Sequence, residues 1–194
     1  MTQNNGASWL FETDTVEYWA YKHTVFSPEE CAKIIELGES LIPKTATTVG
    51  NNTDSIRDSK VSWLYSNTET NWIFDRLAYN IVSLNNQYFK FNVYGMTEAL
   101  QFTKYEAPAG HYGAHVDRLP HGLLRKLSVT IQLSDANDYE GGDLNLKYET
   151  NPILGPKEQG CLTIFPSYTL HEVTPVTKGT RYSLVIWVSG PPFK

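Results

Sequence analysis

"RKLSVTIQLS", residues 125–134, alternates apolar and polar side chains over almost its whole length. Successive side chains of an extended chain point to opposite sides, so the two classes separate onto two faces. One face carries Leu127, Val129, Ile131 and Leu133. The other carries Ser128, Thr130 and Gln132. The pattern predicts a strand that turns one face to a core and the other to a polar space.

Five further segments after residue 95 show the same two-residue period and are separated by Gly, Pro, Asn and Asp: 96–105, 141–149, 159–166, 169–176 and 180–189. Helical periodicity comes earlier, over 27–43 and 68–91, with a short strand at 61–65. Ser27 begins the first helix as its N-cap, and Glu30 completes a capping box. Helices followed by strands predict an α+β fold, mainly β, either a sandwich or a jelly roll.

The amino-acid composition and net charge disfavour some classes of function. The chain has 194 residues and a formal net charge of −5, without a run of Lys or Arg. Binding to the nucleic-acid backbone depends on cationic contacts, so a nucleic-acid partner is disfavoured. No basic leader or long apolar stretch is present, which predicts a cytoplasmic protein without a membrane partner. The distant Cys31 and Cys161 lie in apolar segments and are expected to be buried free thiols.

Histidine and aspartate are concentrated in "HYGAHVDRLPHG", residues 111–122. His115 and Asp117 leave the same side of an extended segment and can converge on one ion. His171 is the natural third ligand, because a second strand can lie beside the first. Two histidines and one carboxylate with open positions are typical of non-haem Fe(II) oxygenases.

The remaining histidines are alternative candidates for metal ligands. His111 and His115 have the spacing of a helical zinc pair, but Pro108, Gly110 and Gly113 disfavour a helix there. His23 has no acidic or histidine neighbour in a suitable sequence pattern. We interpret three histidines as surface residues or outer neighbours of the site: His23, His111 and His121.

Arg181 stands on the mixed face of the strand at 180–189, together with Ser183, Val185 and Trp187. A buried guanidinium without a counter-charge is very costly, so Arg181 on this face would need an anion. A strand-edge arginine that reaches solvent or a surface glutamate remains the alternative on this pattern alone.

The segments "Y…HYGAHVD…R" and "FPSYTLHEVTPVTKGTRYSLVIWVSG" resemble the 2-oxoglutarate- and Fe(II)-dependent dioxygenases. Within these enzymes the chain is similar to the prolyl 4-hydroxylase group, especially the oxygen-sensing prolyl hydroxylase catalytic domains. The resemblance runs from about residue 27 to 190. It implies a single domain over 1–194 with a double-stranded β-helix (jelly roll). Helical support would cover about 27–90 and the jelly-roll core about 96–190.

The resemblance also implies roles for individual residues. The iron ligands would be His115, Asp117 and His171. Arg181 would pair with the distal carboxylate of 2-oxoglutarate, and Tyr105 would hydrogen-bond to this cosubstrate. Gln132 stands where the oxygen-sensing enzymes carry a second cosubstrate tyrosine. The remaining pocket and substrate residues would be Tyr112, Trp187 and Arg125.

The function implied is hydroxylation of a prolyl residue in a peptide or protein. The enzyme would consume O2 and 2-oxoglutarate, release succinate and CO2, and use ascorbate as an accessory reductant. Hydroxylation of a small molecule or free amino acid is the alternative. A jelly-roll binding module without catalytic activity is the alternative from outside the enzymes. The negative net charge disfavours a nucleic-acid demethylase of the same superfamily.

The polar segment "KTATTVGNNTDSIRDSK", residues 44–60, has few large apolar side chains. By resemblance it corresponds to a loop that closes over bound peptide, and an ordinary solvated loop is the alternative. Arg57, with Asp54 and Asp58, is expected to form ion pairs that fix the closed state.

Overall fold

The computed structural model describes residues 16–42, 56–118, 121–148 and 150–193. Two antiparallel sheets form its centre, and the predicted jelly roll is confirmed. The larger sheet has the order β1 (Ala20–Lys22), β11 (Leu162–Pro166), β7 (Arg125–Gln132), β13 (Val176–Ser189), β5 (Leu100–Glu106) and β3 (Lys60–Leu64), and two short strands also pair with β13: β4 (Gly95–Met96) and β8 (Tyr139–Gly141). The smaller sheet has the order β10 (Ile153–Leu154), β9 (Leu144–Leu146), β12 (His171–Val173), β6 (His111–His115) and β2 (Arg57–Asp58).

The apolar face of β7 packs into the main core, as its alternation predicts. Leu127, Val129, Ile131 and Leu133 are fully buried there. The same core holds Leu184, Ile186 and Val188 from β13, the neighbouring strand. Because both strands turn their apolar residues to this core, their opposite faces line the space between the two sheets.

Two helices cover the core face of the larger sheet. The first, α1 (Pro28–Leu41), begins at Ser27 with both hydrogen bonds of the predicted capping box. The second, α2 (Asn71–Leu84), continues into one turn of π-helix over Asn85–Phe89. The predicted helix at 68–91 therefore contains two helical geometries. The described residues include no helix long and apolar enough to cross a membrane.

Several strand boundaries differ from those of the sequence patterns. The segment 96–105, predicted as one strand, contributes to two strands, β4 and β5. The long strand β13 begins at Val176, which is the last residue of the predicted segment 169–176. Its first residues pair with β8, a contact that periodicity does not reveal. Residues 44–55 of the predicted closing segment lie outside the described residues, whereas Arg57 and Asp58 form β2 and pair with β6.

Candidate active site

Three predicted ligands meet between the sheets. His115 ends β6 and His171 begins β12, and the two residues are directly opposite each other across this strand pair. Asp117 follows β6, and its backbone N–H donates to the carbonyl of Ser167 at 3.0 Å. The ligand atoms of these three side chains all lie within 4.8 Å of one another. Ordinary strand pairing thus creates a two-histidine, one-carboxylate cluster.

Both histidine rings are oriented by backbone carbonyls. Nδ1 of His115 lies 2.8 Å from the carbonyl oxygen of Gly113, and Nδ1 of His171 lies 2.9 Å from that of Thr169. A carbonyl only accepts, so each Nδ1 carries the proton and donates it. The two Nε2 atoms are then available as metal ligands, 3.6 and 3.5 Å from the carboxylate oxygens of Asp117.

The charges of the cluster suit a cation. Burial works against ionisation of Asp117, but the neighbouring imidazoles of His115 and His171 hold its pKa well below the usual range. Burial lowers the pKa of His171, and the neighbouring Asp117 offsets only part of this effect. An ionised carboxylate and an unprotonated imidazole are the forms that bind a metal, so the three residues fit Fe(II).

Aromatic rings hold the histidines in place. Tyr112 stacks on His115 with ring centroids 3.6 Å apart, and Phe165 meets His171 edge-on at 4.8 Å. The guanidinium of Arg57 covers the ring of Tyr112 at 4.5 Å. Tyr112 therefore belongs to the wall around the cluster, as the resemblance implies, and Arg57 lines the same cavity beside it. The two-residue alternation of β11 turns Phe165 away from Leu162 and Ile164. This alternation could have identified Phe165 as a residue that faces the site.

Arg181 is buried inside the same cavity, which has a volume of about 240 Å³. It shares the cavity lining with Ser183, Val185 and Trp187, the mixed face predicted for β13. Arg181 is only 3% exposed, and neither its Nε nor its Nη1 has a hydrogen-bond partner among the described residues. A solvent-exposed or edge arginine is excluded, because β13 has neighbours on both sides. A buried, unpaired guanidinium is stabilised by an anion, and a carboxylate fits its fork.

Tyr105 and Gln132 occupy different places around Arg181. Tyr105 lines the main cavity, opposite Arg181 in the β5–β13 pair, with the guanidinium 5.4 Å from its ring centroid. Gln132 is absent from the lining of the main cavity and lies in a smaller adjoining pocket that Arg181 also borders. There its amide donates to the hydroxyl of Tyr139 at 2.9 Å. Contact between Gln132 and a cosubstrate stays a prediction.

A second group of side chains surrounds the outer part of the cavity. The guanidinium of Arg125 lies 3.7 Å from the centroid of the Trp187 ring and donates to both carboxylate oxygens of Glu98, at 2.8 and 2.5 Å. The indole Nε1 of Trp187 is buried and has no partner among the described residues. Trp63 lies next to it, with ring centroids 6.2 Å apart. Sequence reasoning missed Glu98 and Trp63, since nothing in their own segments marks them.

The remaining histidines lie outside this cluster. Nδ1 of His111 faces the carbonyl of Ala109 at 2.7 Å, and His121 is exposed. His23 is exposed on a distant turn, but contrary to the expectation from its sequence neighbours it contacts a carboxylate, that of Glu158.

Comparisons with known proteins agree with this geometry. Residues 100–189 match the 2OG-Fe(II) oxygenase superfamily. A PKHD-type hydroxylase of Sphingopyxis alaskensis is 33% identical over 145 residues, which cover 68% of this chain and 66% of that protein. One from Prochlorococcus marinus is 34% identical over 154 residues, covering 78% of this chain and 64% of that protein. The chain thus spans about two thirds of the length of these curated relatives.

Solved structures share the fold. A prolyl-4-hydroxylase of Pseudomonas putida aligns with a TM-score of 0.69 and 19% identity, over 90% of this chain and 94% of that chain. A prolyl hydroxylase of Trichoplax adhaerens, solved with a hypoxia inducible factor peptide fragment, aligns with a TM-score of 0.73 and 18% identity, over 89% and 83%. At these identities the similarity concerns the fold alone.

Proposed function

Since the chain belongs to the 2OG-Fe(II) oxygenase superfamily, we propose that it hydroxylates a prolyl residue of a peptide or protein. Fe(II), 2-oxoglutarate and dioxygen would be its cofactor and cosubstrates. The observation that carries the proposal is the buried, unpartnered guanidinium of Arg181 in one cavity with the His115–Asp117–His171 cluster. A cation site and an anion site in one cavity suit a dicarboxylate that chelates a metal at one end.

The residues of the chain bind and orient the reactants. His115, Asp117 and His171 would hold Fe(II), and Arg181 would pair with the distal carboxylate of 2-oxoglutarate. The chemistry that these groups supply when bound is decarboxylation of 2-oxoglutarate to succinate and CO2, coupled to insertion of one oxygen atom of O2 into a C–H bond. Burial of Arg181 and Asp117 strengthens their electrostatic contacts, because little water competes with them.

The outer cavity supports the prolyl part of the proposal. A pyrrolidine ring is apolar, and its flanking peptide carbonyls accept hydrogen bonds. Trp187 offers both an apolar ring and a buried N–H that lacks an acceptor among the described residues. Trp63 extends the apolar wall. The curated relatives are hydroxylases, which fits a hydroxylation reaction at this site.

The proposal is tested with the full chain, Fe(II), 2-oxoglutarate, ascorbate and a set of proline-containing peptides. We expect succinate to form, together with a one-oxygen mass gain that fragmentation assigns to proline. Free proline should react only weakly. Turnover confined to free amino acids or small molecules would overturn the peptide assignment, and folded, metal-loaded protein that forms no succinate would overturn the enzymatic one.

The role of Arg181 has its own test. Arg181→Lys keeps the charge but loses the fork, so we expect 2-oxoglutarate binding to weaken roughly ten- to a hundred-fold, the equivalent of about 1.5–3 kcal/mol. Mn(II) binding, measured separately, should stay as in the wild type. Arg118→Lys makes the same change at an exposed arginine and serves as the control. Equal 2-oxoglutarate affinity in Arg181→Lys and Arg118→Lys would remove Arg181 from the site.

A further inference from the structure

A second cluster of metal-binding groups lies at the edge of the larger sheet. His23 belongs to the turn after β1, whereas Glu158 and Cys161 lie on either side of the turn that precedes β11. One ligand atom from each side chain lies within 4.8 Å of the other two. Nδ1 of His23 directly contacts the carboxylate of Glu158. The cluster shares no residue with the His115–Asp117–His171 site.

The two turns are locked together by their backbones. The N–H of Val25 donates to the carbonyl of Gly160 at 2.9 Å, and Lys22 pairs with Leu162. Gly160 has φ +75°, and a Cβ there would lie 1.9 Å from the carbonyl oxygen of Phe26. Only glycine fits so close to the other segment. Backbone packing thus brings the three side chains to one place independently of their own contact.

The backbone beside His23 is unusual as well. Thr24 has φ 52°, in the left-handed region that a β-branched residue rarely adopts. This conformation turns the chain between β1 and the helix α1. Strained positions of this kind persist where the surrounding structure holds them, and they occur often at binding sites.

The set of donors selects a class of cation. An imidazole nitrogen, a carboxylate oxygen and a thiol sulfur together suit a borderline-soft divalent ion such as Zn(II), whereas Mg(II) and Ca(II) prefer oxygen ligands alone. A simple His–Glu ion pair has no need of the thiol. We propose that His23, Glu158 and Cys161 form a second divalent-metal site of zinc type, which fastens the edge strand β1 to the turn before β11.

The chemistry of Cys161 is compatible with such a site. Its thiol is buried, and burial raises the pKa to about 11, so that the sulfur is protonated at neutral pH without a cation. Metal binding would form the metal–sulfur bond and release the thiol proton to solvent. Hard cations gain little from a thiolate, so this requirement strengthens the preference for a thiophilic ion.

Cobalt(II) distinguishes the two sites, because only a thiolate ligand gives an intense near-ultraviolet sulfur-to-cobalt charge-transfer band. The metal-free full chain is titrated with Co(II), and the band is followed by absorption. The His115–Asp117–His171 site offers no thiolate, so the band reports the second site alone. We expect the band to saturate once about two Co(II) per chain have been added, because the His115–Asp117–His171 cluster also takes up the ion, and to disappear when Zn(II) is added in competition.

Substitutions at the proposed ligands and at control residues test which side chains bind Co(II). His23→Gln and Glu158→Gln change exposed side chains and should weaken Co(II) binding at this site by at least tenfold. Cys161→Ser should abolish the band. Cys31→Ser alters the other buried thiol and should keep it, and His171→Ala should keep it even though the other metal cluster is broken.

Absence of the band in folded wild-type protein would overturn the second site. Unchanged Co(II) affinity in both His23→Gln and Glu158→Gln would also overturn it, because the thiol would then act without its proposed partners. Loss of the band in His171→Ala would show that the sites are not separate. None of these results bears on succinate formation, so the second site and the proposed function fail independently.

Discussion

The side-chain amide of Gln132 donates a hydrogen bond of 2.9 Å to the hydroxyl of Tyr139. Both residues are buried, and together with Arg181 they border one small pocket beside the main cavity. The resemblance implies a cosubstrate tyrosine at the position of Gln132. In this chain the amide of Gln132 instead holds the hydroxyl of a tyrosine from β8, Tyr139.

Tyr139→Phe removes this hydroxyl and leaves the amide of Gln132 unpaired beside Arg181. If the pair positions Arg181 for 2-oxoglutarate, we expect the cosubstrate Kd to rise roughly two- to tenfold, since one buried neutral hydrogen bond contributes about 0.5–1.5 kcal/mol. Calorimetry with Mn(II)-loaded protein measures this change. Tyr182→Phe removes a hydroxyl on the opposite face of β13 and serves as the control. Identical Kd values in the two variants would contradict a positioning role for Tyr139.

Gly142→Ala is expected to displace Arg181. A Cβ at Gly142 would lie 2.9 Å from Cδ of Arg181 and 3.2 Å from Cε2 of Tyr139, so these side chains must move. We expect weaker 2-oxoglutarate binding with unchanged Mn(II) binding. Gly142 also has φ +61°, which alanine tolerates poorly.

Gly122→Ala is the matched control, because Gly122 has φ +92° and no atom of the described residues lies within 4 Å of its Cβ position. It therefore reports the backbone cost of alanine alone. If both alanine variants bind 2-oxoglutarate equally well, the close approach to Arg181 has no bearing on the cosubstrate.

The two faces of β7 and β13 could be predicted from sequence because a strand's side-chain period is local and regular. The same regularity brings His115 and Asp117 together, and it placed Arg181 on the cavity face. Pairs formed between segments distant in sequence leave no such signal. His23 meets Glu158 across 135 residues and Arg125 meets Glu98 across 27, and no periodicity within one segment predicts either contact. The 3.6-residue period of the 68–91 segment did not predict its π-helical turn, and in this turn Phe89 is fully buried whereas Tyr88 of the predicted face is only partly buried.

Glu30 is expected to make part of the stability depend on pH. Arg76 donates to both of its carboxylate oxygens at 2.8 and 2.9 Å, and the N–H of Ser27 donates to it at 2.9 Å. These bonds, first of all those from Arg76, hold the pKa of Glu30 below its ordinary value of 4.5. A depressed carboxyl pKa stabilises the folded state above the unfolded pKa, and this stabilisation is lost as the pH falls through the folded pKa.

Glu30→Gln should therefore lower the free energy of unfolding by about 1 kcal/mol at pH 7, the usual cost of a lost cap or partly exposed ion pair. The difference from wild type should shrink as the pH is lowered below about 4, where Glu30 becomes protonated. Urea unfolding across this pH range measures both values. Glu36→Gln alters an exposed carboxylate of the same helix and is the control. A difference that stays constant with pH would show that the ionised carboxylate of Glu30 is not the cause.

Arg125 is expected to act on the substrate through Trp187. The Cζ atom of its guanidinium lies 3.7 Å from the indole centroid, while Nε and Nη2 donate to the carboxylate of Glu98. Lysine cannot make the bidentate pair or the planar stack, so Arg125→Lys should leave the Trp187 ring without support on one side. We expect the KM for a proline peptide to rise roughly tenfold, the equivalent of one charge-assisted hydrogen bond, with little change in 2-oxoglutarate Kd. Steady-state kinetics and calorimetry separate these two quantities.

Arg118→Lys again controls for the chemical change at an exposed site. Glu98→Gln keeps one acceptor and should raise the peptide KM less than Arg125→Lys does. Peptide KM values that match the wild type in Arg125→Lys would contradict this role, and a parallel loss of 2-oxoglutarate affinity would place Arg125 at the cosubstrate instead.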